Sequence, residues 1–372
     1  EPTIGANSDT IASDHFNTKL YVGNGYPTSN GQTIDGVGFQ SDWTWIKDRS
    51  RSGYNHYIFD SLRGATKRLL SNYSHAEGTE GTALTSWNGD GFVLGANNEV
   101  NYQNDTFVAW NWKAGGEPTA TNSAGAGNTP TAGSVKIDGV NLGSALAGSI
   151  PATKLSANTT AGFSIVSYTG TGSNTTVGHG LSQTPDMVIT KSRNATQYWI
   201  VQHVGLSAVT QNLYLHTTNS SQGDSQYTAL SSTTLTVNGG SVNSSTTTYV
   251  SYCFHSVEGY SKFGSYTGNN SADGNMIFTN FAPALVIIKY VNGSAGGTKN
   301  WHMYDNKRSA FNPTENVLFA NENTSESGAS AFDIDFLSNG FKLRNAEGAV
   351  NNGAVYIYMC WAETPFKYAN AR

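Results

Sequence analysis

Trp43-Thr44-Trp45-Ile46-Lys47, Met187-Val188-Ile189-Thr190-Lys191 and Leu285-Val286-Ile287-Ile288-Lys289 are three versions of one strand pattern, each closed by lysine. Pro185 and Pro283 stand shortly before the second and third versions, and Ser41 takes that place in the first. Upstream of each lies an aromatic strand running into a turn: Leu20-Tyr21-Val22-Gly23, Ser167-Tyr168-Thr169-Gly170 and Ser265-Tyr266-Thr267-Gly268. Downstream come Tyr57-Ile58-Phe59-Asp60, Trp199-Ile200-Val201-Gln202-His203 and Trp301-His302-Met303-Tyr304-Asp305. A fourth element ends in Asn72, Asn219 and Asn321, and the closing strand begins at Phe107, Tyr249 and Tyr356. From opening tyrosine to closing aromatic the copies run 21–107, 168–249 and 266–356. Five elements in one order at similar spacing make a repeated β-domain, the sequence mark of tandem architecture.

Composition agrees. Aromatics make up 12% of the 372 residues, charged residues only 13%, and glycine contributes 41 positions. Aromatic and β-branched runs punctuated by Gly, Asn and Ser predict an all-β chain of three tandem β-sandwich domains, jelly-roll or lectin-like. The expected organisation is an N-terminal arm over 1–14, domains at 15–114, 162–256 and 257–372, and a Gly/Ala/Ser/Thr-rich linker over 115–161. Within that linker Val135-Lys136-Ile137 and Val140-Asn141-Leu142 are candidate short strands. The best helical candidate, Asp60 to Leu70, is interrupted by Gly64. The chain begins at Glu1 rather than Met, which reads as processing or a piece of a longer chain, and it carries no legible signal peptide. A net charge of −5 without a Lys/Arg run argues against a nucleic-acid partner, and no apolar stretch suits membrane insertion.

Comparing the copies with one another tests each conspicuous side chain. Trp43 and Trp45 match Met187 and Ile189, then Leu285 and Ile287, so they are expected in a domain core rather than against a sugar. Cys253 and Cys360 match each other and Asn111, so they are expected as two free thiols without a catalytic base. His179 and His203 read as surface loop residues. Asp60 with Arg63 and Asp305 with Arg308 read as local ion pairs of the exposed kind or turn clamps, replaced by His203 and Leu206 in the second copy. Asp333 and Asp335 are the candidate acids of a hydrolase, with no counterpart in the other copies. Asn88-Gly89-Asp90 and Asn321-Glu322-Asn323 read as turns rather than calcium loops, and Asn72 and Asn174 open sequons of the sort such a composition produces by chance. No catalytic, cofactor-binding or metal-binding residue is assigned, and no cofactor is expected.

Several strings add a family signal: Asp14–Tyr21, Gly36-Val37-Gly38-Phe39-Gln40, Trp45-Ile46-Lys47, Val108–Gly116, Gly162–Gly170, Val177-Gly178-His179-Gly180-Leu181 and Asp335–Asn345. Together they resemble the repeated domain of virion and tail-fibre-like proteins from cyanophages and other marine bacteriophages, over roughly Asp14 to Lys367. That resemblance implies a non-enzymatic structural protein at the virion surface: a tail fibre, receptor-binding or capsid-decorating component. Its expected partners are other virion proteins, further copies of itself (a homo-oligomer, with a trimer as the specific expectation) and host surface glycans. Alternatives are a cellular, extracellular lectin-like or filament-forming protein and, behind it, a polysaccharide depolymerase acting through Asp333 and Asp335.

Overall fold

Each lysine-ended stretch is the middle strand of a large antiparallel sheet: Trp43–Asp48, Met187–Ser192 and Ala282–Asn292. The computed structural model describes residues 11–123, 129–293, 299–328, 332–346 and 349–364, and among these the chain is all-β apart from two 3-10 turns. The opening, closing, second, third and fourth strands lie in that spatial order in every copy. In the first copy they are Phe16–Val22, Thr106–Trp112, Trp43–Asp48, Tyr57–Asp60 and Lys67–Leu70. In the second they are Phe163–Thr169, Thr248–Phe254, Met187–Ser192, Ile200–His203 and Leu213–Tyr214. In the third they are Ser261–Thr267, Val355–Thr364, Ala282–Asn292, Trp301–Asp305 and Leu318–Phe319. The opening tyrosines pair with the closing aromatics throughout: Tyr21 with Phe107, Tyr168 with Tyr249, Tyr266 with Tyr356.

A three-stranded sheet of equal order covers one face of each large sheet. Ile34, Leu84, Phe92 and Leu94 of the first small sheet meet Ile46 and Phe59 of the first large one. Val177, Tyr227, Leu235 and Val237 meet Val188 and Ile200 in the second. These are two-sheet sandwiches with alternating inward positions.

The opposite face of each large sheet is buried as well, and this alters the expected picture. All six residues of Trp43–Asp48 and of Met187–Ser192 are buried, so neither strand has a solvent side. Trp43, Trp45, Met187, Ile189, Leu285 and Ile287 belong to one central cluster fed by all three copies. The tryptophans are therefore core residues, but of the space between copies rather than inside a domain. Three self-contained sandwiches were expected; instead the copies share an undivided centre, with which the third sandwich interior is continuous. Equivalent closing-strand residues meet there: Trp112 lies 5.3 Å from Trp361 and Phe254 5.5 Å from Trp361, centroid to centroid. Trp43 stacks on Tyr252 at 4.7 Å, joining the first copy to the second. Burying a large apolar side chain contributes about 1.5–3 kcal/mol, and a ring pair about 0.5–1.5 kcal/mol more.

The linker holds the two short strands expected in it and a third that was not. Val135–Ile137 and Val140–Asn141 are strands, and Lys154–Asn158 pairs with the opening strand of the second copy, widening that sheet to eight strands. Residues 154–158 thus belong to the second copy's sheet. Gly115 is packed so closely on Ala157 and Lys136 that a Cβ there would strike their backbone. Of the arm, residues 1–10 lie outside the described residues, while Ala12–Asp14 is a 3-10 turn with Ala12 buried. Asp60–Leu70 holds two strand segments and a turn rather than a helix. His216, not Asn219, is the second-copy counterpart of Asn72 and Asn321, because Leu70, Tyr214 and Phe319 are the matched strand ends.

Candidate functional site

Where one copy meets the next, the same positions touch in cyclic order. The Trp199 indole donates to the Leu70 carbonyl at 2.8 Å, from second copy to first. Trp301 donates to the Tyr214 carbonyl at 3.0 Å, from third to second. His56 takes this position in the first copy and meets the Phe319 backbone of the third, while its Nδ1 accepts from the Trp45 indole at 2.9 Å. A second ring of backbone bonds repeats the cycle: Glu77 N–H to Arg193 carbonyl (2.7 Å), Ser221 N–H to Val291 carbonyl (2.9 Å) and Glu326 N–H to Arg49 carbonyl (2.9 Å). The chain therefore closes on itself with threefold pseudosymmetry.

Two of the three seams are filled by charge. Between copies one and two, Asp60 holds Arg63 (2.5 Å), Arg63 reaches Glu77 (3.3 Å), Glu77 takes Arg193 (2.9 Å), and the Tyr252 hydroxyl donates to Asp60 (2.6 Å). Between copies three and one, Asp305 holds Arg308 (2.6 Å), Arg308 reaches Glu326 (2.8 Å), Glu326 takes Arg49 (2.8 Å), and the Trp110 indole donates to Asp305 (3.1 Å). The aspartates and arginines of the two i,i+3 pairs have fully buried side chains, so the expectation of exposed local pairs is corrected. Burial opposes ionisation of Glu326, yet Arg49 and Arg308 hold its carboxyl below the usual range. Between copies two and three the same positions carry His203, Leu206, Ser221, Val291 and Met359.

Titratable groups elsewhere in the interior are likewise structural. Lys47, Lys191 and Lys289 are fully buried and donate to the carbonyls of Asp48, Ser192 and both Thr218 and Lys299, respectively. Burial lowers them to about 8, 7 and 7. Sequence reasoning used these lysines only as strand-end markers, although their recurrence at a matched position was the signal of a shared role. His179 and His203, expected at the surface, are fully buried, and burial brings them down to about 4 and 3. His179 Nδ1 accepts the Leu181 amide at 3.2 Å, and His203 Nδ1 the Gly205 amide at 3.0 Å. Cys253 and Cys360 are free and buried, with the Cys253 thiol pushed up to about 12. Asp335 is paired with Arg344 at 3.3 Å, while burial, Glu315 and Asp335 raise Asp333. Asp90 accepts the Gly36 and Gly38 amides as a loop anchor, and Asn72 is engaged by His56 N–H and Asn55.

A cleft of about 950 Å³ opens where the exit of the first copy meets the strands added to the second. His15, Asp42, Lys113, Glu117, Lys136, Asp138 and Lys154 carry its ionisable groups. Asp42 is buried and raised by burial, against the lowering contacts it makes. Its carboxylate accepts from the Ser61 hydroxyl (2.8 Å) and from the Ala114 (2.8 Å) and Gly116 (3.1 Å) amides. Asp138 accepts from the Thr159 amide (2.7 Å) and hydroxyl (2.6 Å). Burial and Lys113 together lower His15, whose Nδ1 lies 3.0 Å from the Asn158 amide nitrogen. Sequence reading missed the cleft because its walls come from a segment taken as a linker. Among the described residues no group of three or more metal-type ligands is assembled, and no helix is long and apolar enough to cross a membrane.

Residues 11–365 match the profile of the family described as Domain of unknown function (DUF7483), which runs through all three copies and the segment between the first two. No curated protein and no solved structure matches the chain.

Proposed function

The chain belongs to the DUF7483 family, and from its architecture we propose that it is a non-enzymatic structural component of a bacteriophage virion, exposed at the particle surface as part of a tail fibre, receptor-binding or capsid-decorating assembly, and in contact with host surface glycans. The observation that carries the proposal is the closure of three copies round one axis. A single chain thereby becomes a three-sided block whose conspicuous aromatics and charge networks are occupied in holding copies together. Symmetric appendages need building blocks that match their symmetry, and this chain supplies threefold pseudosymmetry from within one polypeptide. Its partners are accordingly other virion proteins and further copies of itself stacked along that axis. The resemblance of its repeats to virion and tail-fibre-like sequences points the same way, and low charge with abundant hydroxyl and amide groups suits multivalent contact with sugars. Mass spectrometry of purified particles tests the proposal. Peptides from this chain should be recovered at a fixed ratio to the major capsid protein; their absence from particles, while the lysate contains them, would overturn it.

A further inference from the structure

Resting on the glycan-contacting half of that proposal, we infer that the cleft of about 950 Å³ between the first copy and the strands added to the second is a binding site for an anionic polysaccharide. Its three lysines reach it from separate stretches of chain. Lys113 follows the closing strand of the first copy, whereas Lys136 and Lys154 lie on the neighbouring strands Val135–Ile137 and Lys154–Asn158. Lys136 stands directly opposite Ser156, so it shares a sheet face with Ser156 and hence with Lys154 and Asn158.

What selects an anion is the asymmetry between donors and acceptors. The carboxylates of Asp42 and Asp138 are already taken up by hydroxyl and amide donors of the fold itself. None of the three half-buried ammonium groups has a hydrogen-bond or ion-pair partner among the described residues. Arg49 and Arg193, also partly buried, are by contrast ion-paired. The cleft therefore presents unsatisfied donors toward solvent, with the Gln40 amide and the Thr119 and Thr160 hydroxyls beside them for sugar hydroxyls. Its volume lies within the roughly 300–1,000 Å³ of ligand sites. No Trp, Tyr or Phe lines it, so it lacks the stacking platforms that single-stranded nucleic acids use. A sulfated or uronate-bearing glycan fits these groups.

Titration of the purified full chain with a sulfated galactan, a polyuronate, uncharged dextran and a single-stranded oligonucleotide tests the assignment. The sulfated galactan or the polyuronate should bind, dextran should not, and affinity should fall as salt screens the lysines. A variant with Lys113→Gln, Lys136→Gln and Lys154→Gln should bind at least about tenfold more weakly, as expected for loss of charge-assisted hydrogen bonds. Should that variant misfold, Lys136→Gln alone, at an unchanged unfolding midpoint, should still show a severalfold loss. Failure of the wild-type chain to bind either charged glycan, undiminished binding by the variants, or tighter binding of the oligonucleotide would overturn the inference. Particle mass spectrometry is a separate readout, so the structural role and this site can fail independently.

Discussion

The seam between copies one and two and the seam between copies two and three have the same geometry and opposite chemistry. The first joins the buried Asp60, Arg63 and Tyr252 to the partly buried Glu77 and Arg193 in one connected network. The second places His203, Leu206, Ser221, Val291 and Met359 at the matched positions and keeps the backbone bond from Ser221 to Val291 and the indole bond from Trp301 to Tyr214, beside the bond from Lys289 to the Thr218 carbonyl. Both seams close, so the charges are not what closes them. The common factor is the aromatic and aliphatic centre that all three large sheets share. Buried ion networks of this type often do no better than packed apolar side chains of similar volume, because desolvation offsets attraction. What a network does impose is interdependence: its members can be lost together at little cost but not singly.

Breaking the network at one point should have the largest effect. Arg63→Leu leaves Asp60 buried without its charged partner and takes one of two arginines from Glu77, and should destabilise the chain by about 3–5 kcal/mol in urea denaturation. Arg308→Leu should match it at the seam between copies three and one. Leu206→Ala at the uncharged seam should cost less, about 2–3 kcal/mol, through the cavity it opens at a site that is 8% exposed. Smaller still should be the combined change Asp60→His, Arg63→Leu, Glu77→Ser, Arg193→Val and Tyr252→Met, which gives the charged seam the composition of its counterpart. It should stay within about 2 kcal/mol of the wild type despite containing the most damaging single change. A loss close to the sum of the single changes would show that the two seams are not interchangeable.

Proton linkage sharpens the same comparison by a more gradual effect. Lys47, Lys191 and Lys289 have folded values near 8, 7 and 7, below their ordinary 10.5. Between those values the unfolded chain holds protons that the folded chain has released, so stability should rise with pH across that window, at up to about 1.4 kcal/mol per pH unit for each lysine. His203, lowered to about 3 from 6.5, gives the same sign in a lower window: stability falls as pH drops from about 6.5 toward 3. Glu326 has its carboxyl depressed, so its contribution persists above the ordinary carboxylate range and disappears only as pH falls through its folded value. Lys289, which donates across to Thr218, and His203 both belong to the uncharged seam. Hydrogen exchange should therefore show the Ser221 amide losing protection on acidification from pH 9 to pH 5 before the Glu326 amide does. Equal loss at both amides would contradict this assignment.

The repeat was legible because strand pairing preserves side-chain pattern: Tyr21, Tyr168 and Tyr266, and the lysines that end the second strands, occupy matched positions. The destination of the repeated faces was less so. Alternation tells which residues share a face, not whether that face meets its own small sheet or a neighbouring copy. The available clue was that Met187-Val188-Ile189 and Leu285-Val286-Ile287-Ile288 read as unbroken apolar runs, the mark of strands covered on both sides. Asn219 was misplaced because the connection between third and fourth strands differs in length among the copies. The linker concealed one strand because Ser, Ala, Lys and Asn in Lys154–Asn158 carry little β signal, and pairing with Phe163–Thr169 decides its conformation. The cleft was unreadable for the same reason, since Lys113, Lys136 and Lys154 meet only after the linker strands join the sheet.

Small-angle scattering of the chain in dilute solution tests the shared centre most directly. Three copies closed round one axis should give a radius of gyration near the value for a single compact body of this length, about 21 Å. A markedly larger radius, with a distance distribution showing separate inter-domain peaks, would mean that the copies are strung out and that Trp43, Ile189 and Ile287 do not share a core.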